Sequence, residues 1–356
     1  MEKKKIAIIK GDGVGPEVVN EGLKILKIIN EYSDLNMKFN EAPAGGFVYK
    51  TYGESLPEKS LNILKKSDAI LFGAIGLPDL PAGVAELAIL KIRQEFDLYV
   101  NLRPIKLYET AIDCCPLKDE YIGDGIDMTI VRENTEGLYA KIGGILRDEI
   151  ASNIMLYTRK GCERVIKYAF EYAKKRNHKK IISVDKANVL ACSQLWRKIF
   201  EEIGMKYPNI DKENFLIDAF CQWIIRKPYT CQTVVTGNLF GDIISDEAAY
   251  LLGSLGMAPS GNINPGKLSM YEPIHGAAPD IAGQGIANPV GTILSVKLMV
   301  EESFQRKDLG KDIEDCVEQA LGEGRTMDIK SDKLKILSTI DMGNLIAGKL
   351  KEQLKK

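Results

Sequence analysis

Three observations on this 356-residue chain predict an α/β fold made of more than one domain-sized unit. Short apolar, β-branched runs alternate with longer stretches whose apolar residues recur at helical spacing. With 45% apolar and 27% charged residues there is material for a large buried core. No linker, low-complexity segment or internal repeat interrupts the chain, so the units are expected to share a continuous sheet or to exchange strands.

The elements follow in order. Ile6-Ala7-Ile8-Ile9 reads as a first strand, and a helix is predicted over 16–31, where Pro16 suits a first helical position. Ala69-Ile70-Leu71-Phe72 reads as a strand, 84–96 as a helix and Met128-Thr129-Ile130-Val131 as a further strand. Residues 141–158 are extended and weakly hydrophobic between two firmer elements, the composition of an arm that pairs with a second subunit. Helices over 160–177 and 189–204 flank the strand Ile181-Ile182-Ser183-Val184, and Thr233-Val234-Val235-Thr236 leads into a helix over 242–253. Helices over 290–304 and 341–355 complete the pattern.

Composition excludes several classes of function. Lys and Arg number 48 against 49 Asp and Glu, for a net charge of -1, so the basic footprint of a nucleic-acid binder is missing. No apolar run approaches the roughly 20 residues that span a bilayer. The basic start Met1-Glu2-Lys3-Lys4-Lys5 precedes an apolar run too short for a secretory signal. The seven cysteines form no C-x-x-C pair, which fits reduced thiols and a cytoplasmic location. With His178 and His275 the only histidines, a zinc site lacks ligands, and any metal is expected to be held by oxygen.

Several motifs carry candidate chemistry. Gly11-Asp12-Gly13-Val14-Gly15-Pro16-Glu17 follows a strand and precedes a helix, yet its glycines recur every second residue and depart from the G-x-G-x-x-G dinucleotide spacing, with Asp34 only loosely in the acidic position. It reads equally as a tight strand-to-helix turn. In Gly237-Asn238-Leu239-Phe240-Gly241-Asp242-Ile243-Ile244-Ser245-Asp246, two aspartates four residues apart project from one helical face. They can share one cation, whose charge offsets their repulsion, or simply enrich a first helical turn. Asp218 is a lone carboxylate in an apolar run, either a third ligand or a helix cap. Glu86, Ile89, Leu90 and Arg93 share one helical face, apolar residues bracketed by opposite charges. Arg103 and Arg132 lie at or near strand ends, and guanidinium forks suit flat carboxylates; for each, a surface ion pair is the alternative.

Six segments, in order and spanning nearly the whole chain, resemble the isocitrate/isopropylmalate dehydrogenase family: Gly11 to Glu17, Asn101-Leu102-Arg103-Pro104, Val131 to Tyr139, Asp185-Lys186-Ala187-Asn188-Val189, Gly237 to Asp246, and Tyr271 to Gly283. The resemblance implies a fold that is not Rossmann: two α/β domains sharing a continuous sheet, the larger built from 1–99 and 253–356 and the smaller from 100–252, with the active site between them in a homodimer. It implies that Asp242 and Asp246, with Asp218 from the second subunit, hold Mg2+ or Mn2+. Arg93, Arg103 and Arg132 would clamp the carboxylates of a substituted malate, Tyr139 and Lys186 would form the acid/base pair, and Asn188 would lie beside substrate and nicotinamide. The stretch from Glu272 through His275, Gly276, Ala277, Ala278 and Asp280 to Asn288 would wrap NAD, with His275 beside the adenine and Asp280 on the adenosine ribose, where a carboxylate repels the 2′-phosphate of NADP.

The implied activity is NAD-dependent oxidative decarboxylation of a 3-substituted malate. Isocitrate-type members carry Ser and Asn where this chain has Leu87 and Ile89, so a third carboxylate would be left unpaired, and isocitrate and homoisocitrate are disfavoured. Glu86, Ile89 and Leu90 resemble the isopropylmalate pattern, while Arg132 to Gly137 departs from the Arg-Glu-Leu-Thr-Gly-Gly of many bacterial isopropylmalate enzymes. D-Malate, tartrate and 2,3-dimethylmalate are the alternative substrates. Two other classes compete: a non-catalytic regulatory subunit, against which the full set Tyr139, Lys186, Asp218, Asp242 and Asp246 stands, and a metal-free Rossmann dehydrogenase, which needs a catalytic His-carboxylate pair.

Overall fold

A computed structural model describes residues 3–81 and 83–355. The chain forms two compact units, one of Met1–Phe96, Tyr108–Pro116 and Leu252–Lys356, the other of Asp97–Leu107 and Leu117–Leu251. The first unit opens with strand β1 (Lys4–Gly11), helix α1 (Gly15–Tyr32), β2 (Met37–Glu41), α2 (Gly46–Tyr52), α3 (Glu58–Leu64), β3 (Ala69–Ala74) and α4 (Leu87–Glu95). The second unit holds β4 (Val100–Lys106), α5 (Asp119–Ile122), β5 (Asp127–Glu133), β6 (Gly143–Leu146), β7 (Ile150–Asn153), α6 (Arg159–Lys175), β8 (Lys180–Asp185), α7 (Ala191–Gly204), β9 (Asp211–Leu216), α8 (Ile217–Arg226), β10 (Thr233–Thr236) and α9 (Asn238–Tyr250). The chain then returns to the first unit with β11 (Pro259–Ile263), β12 (Ser269–Pro273), α10 (Val290–Glu302), α11 (Lys307–Glu323) and α12 (Thr339–Leu354).

Within the first unit the strands run in the order β2-β1-β3-β12-β11. β1 pairs in parallel with β2 and β3, and β12 runs parallel to β3 but antiparallel to β11. In the second unit the order is β4-β5-β10-β8-β9, with β4 antiparallel to β5 and the rest parallel. An antiparallel pair in each unit separates this α/β topology from the all-parallel Rossmann arrangement. Every residue of β3 and β10 is buried, as expected for parallel strands covered on both faces. The helix α10 is buried continuously from Val290 to Val300, the signature of a helix packed on all sides. By contrast α1 buries one side, with the apolar stripe Val18, Val19, Gly22, Ile25, Leu26 and Ile29 joined by Gly15 and Glu21.

All five strands predicted from apolar runs form. The helix expected over 242–253 starts four residues earlier, at Asn238, because Gly237 already has extended N-cap backbone, so Asp242 lies beyond the first turn. The sequence reading passed over α8 and α11. The buried residues of α11, Leu309, Ile313, Cys316, Val317, Ala320 and Leu321, do recur at helical spacing, but they stand among many charges. It also passed over β4, whose Pro104 sits inside the strand and pairs with Thr129; an internal proline ordinarily argues against a strand. Residues 143–153 form an exposed antiparallel hairpin of β6 and β7, extended as expected. No helix among the described residues is long and apolar enough to cross a membrane.

Packing in the second unit centres on Phe170 of α6, which is fully buried and stacks on Phe200 and Tyr207 at 5.4 and 4.8 Å between ring centroids. Phe170→Ala is expected to cost about 3–5 kcal/mol, read as a lowered midpoint for this unit in urea unfolding followed by tryptophan fluorescence.

Candidate active site

In the second unit the β-ladder aims two arginines at one helix. Asn101 pairs with Arg132 across β4 and β5, so Arg103, two residues beyond Asn101, projects from the same sheet face as Arg132. Helix α9 packs on that face and presents Asn238, Asp242, Ser245 and Asp246, which share one side at helical spacing. Arg132 donates from Nε and Nη2 to Asn238 Oδ1 at 3.1 and 2.7 Å, and from Nη1 to Asp242. Arg103 Nη1 donates to Ser245 Oγ at 2.5 Å and to Asp246 Oδ1 at 3.0 Å, and its Nη2 lies 3.5 Å from Asp242 Oδ1. The hydroxyl of Tyr139 donates to Asp242 Oδ2 at 2.5 Å, and the Arg132 guanidinium stands 5.2 Å over the Tyr139 ring.

Arg132 and Arg103 are only 1% and 6% exposed, and guanidiniums so far removed from water require charged partners. Asp246 is held above the usual carboxylate range: desolvation leads, the Arg103 guanidinium opposes it, and the like charge of Asp242 adds to the rise. Sequence reasoning singled out Tyr139, both arginines and both aspartates, and the fold brings those five together. It missed Asn238 and Ser245, although their spacing to Asp242 within the same motif was the available signal.

Lys186 and Asp218 form a pair of their own. Lys186 follows the end of β8, its Nζ donates to Asp218 at the start of α8, and this ion pair draws the Asp218 carboxyl below its ordinary range. Asn188 is exposed in the turn between β8 and α7. Among the described residues no three acidic, histidine or cysteine side chains are grouped as for a metal ion.

The first unit carries the remaining candidates. Arg93 Nη2 donates to Glu272 Oε1 at 3.2 Å, and Asn262 Nδ2 donates to the same oxygen at 2.7 Å. Both members of the ion pair are buried, while Arg93 Nε has no hydrogen-bond partner among the described residues. On the same helix Ile89 and Leu90 are partly exposed, and Glu86, just ahead of it, is exposed. His275 Nδ1 lies 2.9 Å from the Gly276 carbonyl, and its Nε2 is shut off from solvent without a hydrogen-bond partner among the described residues. Taking Nδ1 as the donor to that carbonyl leaves Nε2 as a bare acceptor. Burial pushes the ring below the ordinary histidine value.

The loop after β12 is fastened to the turn between β1 and α1 and to the first turn of α1. Val14 N donates to the Ala277 carbonyl at 2.8 Å, and Gly283 N donates to Glu17 Oε1 at 2.5 Å. Gly13 has φ +57, and a β-carbon there would overlap the Ala277 carbonyl, so close approach and backbone conformation both require glycine. Asp12 accepts from the amides of Gly46, Phe47 and Gly76 at 2.7, 3.0 and 3.1 Å. The Gly11 to Glu17 motif therefore ties loops together here, while Asp34 pairs with Arg306 on the surface. Ala278 adopts φ 40, Asp280 is exposed, and Asn288 Oδ1 accepts from Val290 N at 3.0 Å to start α10.

Comparison with known proteins follows the same outline. The family model described as isocitrate/isopropylmalate dehydrogenase matches residues 5–346. This chain belongs to that family. A 3-isopropylmalate dehydrogenase of Aquifex aeolicus is 45% identical over 93% of this chain and 93% of its own length. One from Clostridium acetobutylicum is 41% identical over 98% of the chain and all of its own length. Among solved structures, an isocitrate dehydrogenase from Methylococcus capsulatus superposes with a TM-score of 0.87 at 32% identity, covering 98% of this chain and 99% of its own. Membership makes the chain an oxidoreductase fold of the hydroxy-acid type and sets aside the Rossmann alternative.

The depressed value of His275 gives a pH test. Stability contributed by keeping the ring neutral is complete above the unfolded value of about 6.5 and is lost as pH falls through the lower folded value. His275→Gln is expected to shrink the loss of urea midpoint on going from about pH 7 to about pH 5, compared with the unsubstituted protein at both pH values.

Proposed function

We propose that this chain is an NAD-dependent, Mg2+- or Mn2+-dependent dehydrogenase. It oxidises 3-isopropylmalate at its hydroxyl carbon and releases the β-carboxylate as carbon dioxide, giving 4-methyl-2-oxopentanoate in leucine biosynthesis. The observation that carries this reading is the Tyr139 hydroxyl seated on Asp242 beside two buried arginines: a proton donor, an anion clamp and an oxygen donor set on one helix face. The choice of substrate leans on the relatives named for that activity and on the aliphatic Ile89 and Leu90, partly exposed next to Arg93 in sequence.

Asp242 and Asp246 suit a divalent cation, being hard oxygen donors on one face; the burial and like charge that oppose ionisation of Asp246 are costs a cation offsets. When bound there, the cation lowers the barrier to removing the hydroxyl proton and stabilises the charge left as carbon dioxide departs. NAD bound to this chain would supply the acceptor for the hydride. For it the bare Nε2 acceptor of His275, together with Glu272, Gly276, Ala277, Ala278, Asp280 and Asn288, forms the proposed cofactor segment.

The chain's own side chains supply the rest. Arg93, Arg103 and Arg132 bind the malate carboxylates, and each already grips a carboxylate of the protein, the same chemical group that the substrate carries. Lys186, in its neutral amine form, takes the proton from the hydroxyl, and Tyr139 returns a proton to the carbon left by decarboxylation. Glu86, Ile89 and Leu90 receive the alkyl group and Asn188 borders the substrate. The enzyme is proposed to work as a cytoplasmic homodimer, in which Asp218 of a second copy joins Asp242 and Asp246. The exposed apolar residues Ile145, Leu146 and Ile150 of the β6–β7 hairpin support a partner of that kind.

With NAD and Mn2+, purified protein is expected to turn over 3-isopropylmalate faster than D-malate, tartrate, 2,3-dimethylmalate or isocitrate, and to lose activity reversibly in chelator. Faster turnover of D-malate or dimethylmalate would reject the substrate. Tyr139→Phe is expected to lower kcat by about 10²-fold or more, with the KM for NAD little changed, in steady-state assays of NADH formation.

A further inference from the structure

The turn bearing Tyr139 and the helix bearing Asp242 are both held by a third segment, Leu156-Tyr157, which supplies none of the reacting groups. Leu156 bridges Gly137 in antiparallel fashion, with Gly137 N donating to the Leu156 carbonyl at 2.8 Å. One residue on, the hydroxyl oxygen of Tyr157 accepts from the backbone N–H of Asn238 at 2.8 Å. That N–H is one of the amides at the start of α9 that have no intrahelical partner, and Gly237 at the N-cap has no side chain to serve it. Tyr157 thus caps α9 from a different part of the chain.

The fit around this hydroxyl is close. A β-carbon at Gly137 would lie 2.7 Å from it, and one at Gly237 would overlap it outright. Gly237 has φ -68 and ψ 168, a conformation open to any residue, so glycine is required there for space alone. The ring is backed by Trp196 at 5.8 Å between centroids, and Trp196 Nε1 donates to Ser183 Oγ of β8 at 3.1 Å. Burial pushes the Tyr157 hydroxyl well above the ordinary tyrosine value, so it stays neutral at working pH.

Asn238 passes the constraint on. Its Nδ2 donates to the Glu136 carbonyl at 3.0 Å and its Oδ1 accepts the two bonds from Arg132. The Arg132 guanidinium in turn holds Asp242 and covers the ring of Tyr139. One hydroxyl therefore stands at the head of a chain of contacts, Asn238 to Arg132 to Asp242 and the Tyr139 ring, that sets the Tyr139 turn against α9.

We propose that Tyr157 is a positioning residue for proton donation by Tyr139, acting as a remote cap that holds the Tyr139 turn and helix α9 at their working separation. This rests on the reading of Tyr139 as proton donor and adds the group that places it.

Tyr157→Phe keeps the ring and removes only the acceptor. The expected result is a fall in kcat of about tenfold or more, since small displacements of reacting groups are costly, with the KM for NAD within about twofold of the unsubstituted value. In parallel, hydrogen exchange is expected to quicken in the peptide covering Gly237 to Asp242, with peptides of α6 unchanged. An unchanged kcat, equal falls in all kinetic constants, or exchange that quickens throughout the protein would overturn the proposal. Exchange needs no turnover: if the unsubstituted protein oxidises no substituted malate, the proposed function fails, whereas the cap fails only if the Gly237 to Asp242 peptide keeps its protection. Should the phenylalanine variant not fold, Tyr157→Met, of similar bulk and without a hydroxyl, takes its place in both measurements.

Discussion

Asp242 has charge or hydrogen-bond contact with three side chains drawn from two strands and a turn: Arg132, Arg103 and the Tyr139 hydroxyl. The two guanidiniums are buried, and an unpaired buried cation costs several kcal/mol, so the carboxylates of α9 make burial of Arg103 and Arg132 tolerable. The reverse holds as well. Asp242 and Asp246 stand one turn apart and repel, and without the arginines the face would favour protonation of one of them. Charge balance of this kind fixes the height and rotation of α9 over β4 and β5. It also leaves the same groups suited to exchange internal partners for an anionic substrate and a cation.

The first unit repeats the device with different neighbours. Arg93 and Glu272 pair in a buried setting, Asn262 adds a second bond to the carboxylate, and Arg93 Nε remains unmatched among the described residues. In the same unit the loop from 276 to 288 is held by backbone and carboxylate contacts from the start of α1, while Asp12 gathers two amides from the start of α2 and one from the loop after β3. Loops fixed this way lose little conformational freedom on binding a ligand. The His275 Nε2 left without a partner among the described residues is a cost in the free protein that a hydrogen-bond donor from a ligand can recover.

Much of this was legible in the residues. Apolar runs marked β3 and β10, which are buried throughout, and the buried centres of β1, β5 and β8, and helical periodicity marked α1, α6, α7, α10 and α12. The signal failed for β11 and β12, buried throughout but without a β-branched apolar run, and where burial was partial or a rule was broken. β4 contains Pro104, β9 is only partly buried, and the apolar stripe of α11 is diluted by charges. The start of α9 was misjudged because its cap lies 81 residues away, in the hydroxyl of Tyr157. Asn238 and Ser245 were overlooked because an amide and a hydroxyl become functional only once a particular guanidinium reaches them.

The chain's linear pattern alone determined that this is an α/β protein of mixed charge, that its acidic and basic site residues come in spaced motifs, and that these resemble one dehydrogenase family. Those properties are local: periodicity, spacing and residue chemistry survive in an unfolded chain. Which partner each group takes was decided only by the tertiary structure. Arg132 meets Asp242 across 110 residues, Arg93 meets Glu272 across 179, and Lys186 takes Asp218 across 32. Strand register and helix docking set those encounters, and charge pairs choose by distance and desolvation rather than by position along the sequence.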